Sequence, residues 1–245
     1  MSVERFVNTE KLYHYTKYQS ALMIILTNSM RFGKLVDMND YIESNKIIGC
    51  KDGGNGLIEN SNTLNSIQHY LSSIGQISLT NGHKKCGFDI EPMWSHYAEK
   101  GKGICFVFDR RKLLKKAKEM RCWCRLVAYK KHISQWYVTE INSVEEVVPY
   151  FSTHRKSVFF EKSKDWKYEQ EYRILCADSR FPTLQLNDCI VGVILHCSSL
   201  SSIEIEDRKN IFSKLEIPVY EYNGKIFGGG EKTLKYDNTT IYSLK

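Results

Sequence analysis

The chain has 245 residues, 42% of them hydrophobic and 26% charged, with a formal net charge of +7. That is an ordinary soluble composition, long enough for one large domain with a substantial core. No apolar run approaches the ~20 residues that span a bilayer. The opening Met-Ser-Val-Glu-Arg-Phe lacks the apolar centre of a signal peptide, so the expected location is the cytoplasm.

The 8 cysteines do not read as a disulfide framework. Cys105, Cys176 and Cys197 sit in apolar, strand-like runs, where a free cysteine behaves as a small hydrophobe. Cys122 and Cys124 flank Trp123 as C-x-C, and His132 alone does not complete a zinc site, so no metal is expected. The run 110–118 is strongly basic and predicts a solvated helix face that could also contact phosphates. No helix-turn-helix, zinc-finger or RNA-binding signature accompanies it.

In chain order, 11–16 (Lys-Leu-Tyr-His-Tyr-Thr) reads as a strand with Leu12, His14 and Thr16 on one face. A short buried helix follows over 20–29, a strand over 30–35, and a turn cluster at Asp37-Met-Asn-Asp40. A helix is expected over 41–50, a glycine-rich loop at 51–56, and an amphipathic helix over 58–73. Residues 76–80 alternate as a strand. Residues 92–98 predict a helix with proline in its first turn. Ile104-Cys-Phe-Val-Phe108 is apolar throughout and predicts a central strand buried on both faces. The basic helix at 110–120 precedes a strand at 125–129. A helix beginning at Val144 should be kinked or ended by Pro149. Further strands are expected at 189–195, 217–222 and 239–243, with a helix over 202–215 capped by Ser201 or Ser202 and a mobile tail opening at 228–230. Strands and helices do not alternate strictly, so the fold class is α+β in a single domain.

The most informative stretch is Lys164-Asp-Trp-Lys-Tyr-Glu-Gln-Glu-Tyr-Arg-Ile-Leu175. In a strand, Glu169, Glu171 and Arg173 fall at i, i+2 and i+4 and form one row. Two acids and an arginine are costly against a core but suit a face that opens on a polar cleft. An exposed diagonal ion pair is the plain alternative. If the two acids lie close, repulsion raises the apparent pKa of one and makes it a proton donor.

Several of these stretches together resemble a bacterial family known as domain of unknown function 2971. They are Leu12-Tyr-His-Tyr-Thr16, the Asn39-Asp40…Glu43 turn, Ile77-Ser-Leu-Thr80, Met93-Trp-Ser-His-Tyr-Ala98, Gly103-Ile-Cys-Phe-Val-Phe108 and Lys162 through Arg173. More distantly, His-Tyr-Thr on an early strand and a glutamate on a late one resemble the ADP-ribosyltransferases. The likeness is greatest to the DNA-modifying toxins, whose first strand carries His-Phe-Thr or His-Ile-Thr.

This second resemblance implies a split β-sheet core with peripheral helices and NAD as substrate, without a metal. It implies that His14, Tyr15 and Thr16 bind NAD and that Glu171 is the catalytic carboxylate. Glu169 would be the first acid of a Glu-x-Glu pair, orienting the acceptor. Tyr97 or Trp94 would stack on the nicotinamide ring, and Ser78 loosely echoes the Ser-Thr-Ser of another transferase branch. Arg31 and Arg173 are both candidates for the catalytic arginine. Cleavage of the nicotinamide bond needs a carboxylate near the anomeric carbon and a held ribose, which one glutamate facing a histidine and a threonine can supply. The implied role is an NAD-consuming toxin or phage-defence effector, acting on a nucleic-acid or protein acceptor or on water. The alternatives are a sensor that binds a nucleotide without turnover, and a Mg²⁺-dependent nuclease. The nuclease would require an acid cluster beyond Glu169 and Glu171.

Overall fold

The computed structural model describes residues 10–35, 47–48, 61–82, 86–133, 136–137, 141, 143–177, 182–224, 232–236 and 239–244. The turn expected at 37–40, the loop at 51–56 and the tail at 228–230 lie outside the described residues. The framework is a mixed 10-stranded sheet. In chain order its strands are β1 (Lys11–Thr16), β2 (Gly33–Lys34), β3 (Gly75–Asn81), β4 (Ile104–Asp109), β5 (Trp123–Leu126), β6 (Glu171–Cys176), β7 (Ile190–His196), β8 (Val219–Asn223), β9 (Lys232–Tyr236) and β10 (Thr239–Leu244). Across the sheet they run β10-β9-β8-β7-β4-β1-β3-β6-β5, with β2 joined to β3. The helices are α1 (Tyr18–Thr27), α2 (Ser61–Ser73), α3 (Glu91–Tyr97), α4 (Arg110–Glu119), α5 (Val144–Phe159) and α6 (Ser202–Ser213). None of the described helices is long and apolar enough to cross a membrane.

The apolar run of β4 is central, as its composition predicts. Ile104, Phe106 and Phe108 face one core cluster, and Cys105 and Val107 face another. The first cluster takes in Ala21 and Ile24 of α1, Leu113 and Ala117 of α4, and Phe212 of α6. The second takes in Tyr13 and Tyr15 of β1, Met93 and Trp94 of α3, and Tyr220 and Tyr222 of β8. A third, smaller core joins Ile67 of α2 and Phe151 and Phe159 of α5 to Leu175 of β6. Helices therefore cover the sheet without alternating with its strands, which is the α+β arrangement. One parallel pair, β7 and β8, is bridged by α6, the crossover that a parallel pair requires. A capping box between Ser201 and Glu204 starts α6.

The register of β1 positions the site. β1 pairs with β4 along its whole length, from Lys11↔Asp109 to Thr16↔Ile104. On its other side it pairs with β3 only at Leu12↔Asn81 and Tyr13↔Thr80. Beyond Tyr13 the two strands diverge, so the sheet splits there. β6 then pairs with β3 from Glu171↔Thr80 to Cys176↔Gly75. Residues opposite one another in an antiparallel pair share a face. Gln76, Ser78, Thr80, Glu171 and Arg173 therefore lie on the face that carries Tyr13 and Tyr15, beside the split.

Three local expectations are corrected or narrowed. Ile47–Ile48 is a short strand, paired in parallel with Trp136–Tyr137, where the pattern over 41–50 suggests a helix. Two adjacent β-branched residues fit that pairing better than a helix. Of the two outcomes expected at Pro149, an end to the helix is ruled out: α5 runs on to Phe159 with the proline inside it. The proline is exposed, so solvent can satisfy the carbonyl it frees. Finally, the strand over the central motif starts at Glu171. Residues Lys164–Glu169 form a 3₁₀ helix, and Gln170 ends it in the left-handed region at φ 48°.

Candidate active site

A cavity of about 110 Å³ lies at the mouth of the split. Its walls include His14 and Tyr15 of β1, Ser78 and Thr80 of β3, Tyr97 of α3, and Glu171 and Arg173 of β6, with Lys162 and Glu169 from the segment before β6. β1, β3 and β6 are far apart in the sequence but neighbours in the sheet, so β-pairing gathers the side chains of the three strands, while α3 and the segment before β6 bring in Tyr97, Lys162 and Glu169.

Glu171 and Arg173 form the rigid floor. Arg173 Nε donates to Glu171 Oε1 at 2.8 Å and Nη2 donates to Oε2 at 2.9 Å. This is a bidentate pair of the strong, geometrically specific kind. Its Nη1 donates to the Phe159 carbonyl at 2.7 Å and so ties β6 to the end of α5. Arg173 is 0% exposed and Glu171 is 4% exposed. Gln76 Nε2 adds a bond to Glu171 Oε1 at 3.3 Å, and the Glu171 amide donates to the Tyr129 hydroxyl at 2.8 Å. Burial alone would raise the Glu171 carboxyl. The Arg173 guanidinium outweighs it, with Lys162 and Ser78 assisting, and holds the carboxyl at about 2.

Glu169 behaves differently. The left-handed turn at Gln170 lifts it off the strand and points it at the same cavity. Tyr97 donates to its Oε1 at 2.6 Å and Lys162 Nζ donates to its Oε2 at 2.7 Å. Burial raises its carboxyl above the usual glutamate range; Lys162 opposes the rise and Glu171 adds to it. The environments thus push the two acids apart, one firmly ionised and one readier to hold a proton, a pattern that marks acid–base sites. Lys162 also lies 3.6 Å from Glu171 Oε2, so two acids and two cations balance within one enclosed cluster.

Across the split, His14 Nδ1 lies 3.0 Å from the Ser78 carbonyl oxygen. A carbonyl only accepts, so Nδ1 carries the proton and Nε2 of the neutral ring is an acceptor. Burial lowers His14, against the opposing effect of that carbonyl, and so favours the neutral ring.

Of the residues singled out from the sequence, His14, Tyr15, Ser78, Tyr97, Glu169, Glu171 and Arg173 all line this cavity. Tyr15 does so with its ring, because its hydroxyl donates to the Gly87 carbonyl at 2.8 Å. Thr16 is not in the lining; it closes β1 opposite Ile104. Trp94 is not there either. It is 1% exposed, donates to the Phe88 carbonyl at 2.8 Å, and packs edge-on against Tyr15, so it is a core anchor, and of the two expected ring stackers Tyr97 is the one that lines the cavity. Arg31 sits in a separate two-stranded pairing with its side chain exposed, which leaves Arg173 as the arginine of the site. Lys162 and Gln76 received no role from the sequence. Lys162 stands at the head of the motif quoted above, and Gln76, Ser78 and Thr80 alternate with Ile77 and Leu79, so a second polar strand face was readable. Among the described residues, no three His, Cys, Asp or Glu side chains are grouped to hold a metal ion.

The family model described as "Protein of unknown function (DUF2971)" matches residues 93–174. That range contains Tyr97, Lys162, Glu169, Glu171 and Arg173, whereas the quoted stretches of β1 and β3 precede it. No curated protein matches the chain. Among solved structures, DarT of Thermus sp. 2.9, in complex with ADP-ribosylated ssDNA, aligns with a TM-score of 0.34 and 9% identity, covering 85% of this chain and 90% of that one.

Proposed function

We propose that the cavity at the split is the active site of an ADP-ribosyltransferase-like enzyme that cleaves the nicotinamide glycosidic bond of NAD. The observation that carries this reading is the placement of Glu171, held by a bidentate pair with Arg173, in the same cavity as His14. A volume of about 110 Å³ suits one planar ring rather than a whole dinucleotide. Tyr97 offers a flat face to such a ring, and the Ser78 hydroxyl and His14 Nε2 offer bonds to a carboxamide or a ribose hydroxyl. Glu171 stabilises positive charge as it develops on the ribose, because its own charge is fixed and needs no reorganisation. The bond to nicotinamide breaks with its electron pair leaving on the ring nitrogen. The acceptor atom bonds to the anomeric carbon and gives up a proton, and Glu169 is the group placed to take it.

The test is nicotinamide release from NAD by wild type beside Glu171→Gln, with and without DNA, RNA and cell lysate. Turnover by wild type that falls by at least about 10²-fold in the variant, with NAD binding kept, is the expected result. Dependence on one additive names the acceptor class. A toxin or defence role further predicts growth arrest on expression of wild type and its relief by Glu171→Gln.

A second reading has an observation in its favour. Both carboxylates are already paired with Lys162 and Arg173 in a closed, charge-balanced set, as suits a sensor that binds a nucleotide without turnover. A melting-temperature rise with NAD or ADP-ribose, and no nicotinamide release in any mixture, would select it.

A further inference from the structure

We propose that Lys162 is a positioning residue of this cavity, holding Glu169 ionised and setting its titration apart from that of Glu171. Lys162 is 6% exposed, and a lysine almost never sits so deep without partners that need it. It comes from the short strand Glu161–Ser163, which pairs in parallel with Ala128–Lys130 and places Lys162 opposite Tyr129. Its Nζ contacts Glu169 at 2.7 Å and Glu171 at 3.6 Å and lies 4.6 Å from the centre of the Trp166 ring. Two carboxylates and an aromatic face together form a receptacle for an ammonium ion.

The groups that face Glu169 are Lys162, Tyr97 of α3, Glu171 and Arg173 of β6, Tyr129, the adjacent Tyr168, and His14 across the cavity. Two of these are cations. Arg173 has its fork on Glu171 and a bond to the Phe159 carbonyl, and Lys162 is in direct contact with Glu169. Without it, Glu169 would be a buried carboxylate beside a second carboxylate, and it would take up a proton.

The inference needs the NAD-cleaving reading only for its effect on turnover, and the test separates the two. The glutamate carboxyl carbons are followed by NMR against pH in wild type, Lys162→Met and Lys162→Arg, and Glu169→Gln identifies the Glu169 signal. In Lys162→Met the Glu169 inflection should move to higher pH by about one unit or more, a roughly tenfold gain in proton affinity. Glu171, held by Arg173, should move less, and Lys162→Arg should bring Glu169 back toward the wild-type value. Should Lys162→Met fail to fold, the wild-type protein decides alone: the Lys162 side-chain nitrogen signal should shift through the same inflection as Glu169. A Glu169 inflection unmoved by Lys162→Met, or a Lys162 signal blind to it, overturns the inference. If wild type cleaves NAD, the acidic limb of its pH profile moves upward in Lys162→Met by the same amount as the Glu169 signal. If no mixture yields nicotinamide, the titration result stands without the activity.

Discussion

Arg173 shows how much one side chain can commit. It is fully buried, and its guanidinium makes two bonds to Glu171 and one to the Phe159 carbonyl. Removing one partner of a buried ion pair leaves the other charge stranded, which typically costs about 3–5 kcal/mol. Arg173→Met should therefore lose stability in that range in urea denaturation, and a loss below about 1 kcal/mol would show that Glu171 finds compensation elsewhere. Arg173→Lys should recover only part of the loss, because an ammonium cannot reproduce the planar fork. Removing Arg173 also removes the main influence that keeps Glu171 near 2, so the Glu171 inflection should rise in both variants.

At the scale of elements, the open end of β1 depends on a close backbone approach. A Cβ added at Gly103 would lie 2.2 Å from the Thr16 carbonyl oxygen and 2.8 Å from the Ala98 Cα, and neither atom is the end of a flexible side chain. Gly103→Ala should thus cost about 1–3 kcal/mol by overpacking and disturb the cavity through the end of β1, with ligand binding weakened alongside the melting temperature. Pro149 tests the opposite direction. It is exposed and lies within α5, so Pro149→Ala should restore a helical bond and stabilise by about 1–3 kcal/mol, read from denaturant midpoints.

The elements that were legible in the sequence are those with strong periodicity or uniform apolarity. β4 was plain from Ile104 to Phe108, and α6 was marked by its capping serine. What misled was the alternation Glu169-Gln-Glu171. A two-residue period reads as strand, yet the backbone turns left-handed at Gln170, a conformation that leaves no trace in the hydrophobic pattern. Both acids still reach one cavity, but by a turn and not by a shared strand face. Trp94 misled in another way. An aromatic residue in a helix near a site looks the same in sequence whether it faces a ligand or the core, and only the packing of Tyr15 and Tyr222 against it decides.

For the whole molecule, the depressed Glu171 carboxyl makes stability depend on pH. A carboxyl held at about 2 in the folded chain and titrating near 4.3 when unfolded stabilises the fold above the unfolded value. That stabilisation, on the order of 3 kcal/mol, is lost as pH falls from about 4.3 toward 2. Glu169 has the opposite sign: its raised carboxyl favours the fold at low pH and loses that contribution as pH rises through its folded value. Urea midpoints measured from pH 7 to pH 2 should therefore show a steep acid limb that Glu171→Gln flattens and Glu169→Gln does not.

The split in the sheet also has a mechanical side. β1 is fastened to β4 over six residue pairs and to β3 over two, so the halves of the sheet meet at Leu12 and Tyr13 like two leaves on a pin. A small rotation about that pin would widen the cavity, and the bond from the His14 ring to the Ser78 carbonyl would oppose it. His14→Ala should therefore speed amide exchange along β3 beside the split while leaving β4 as slow as before.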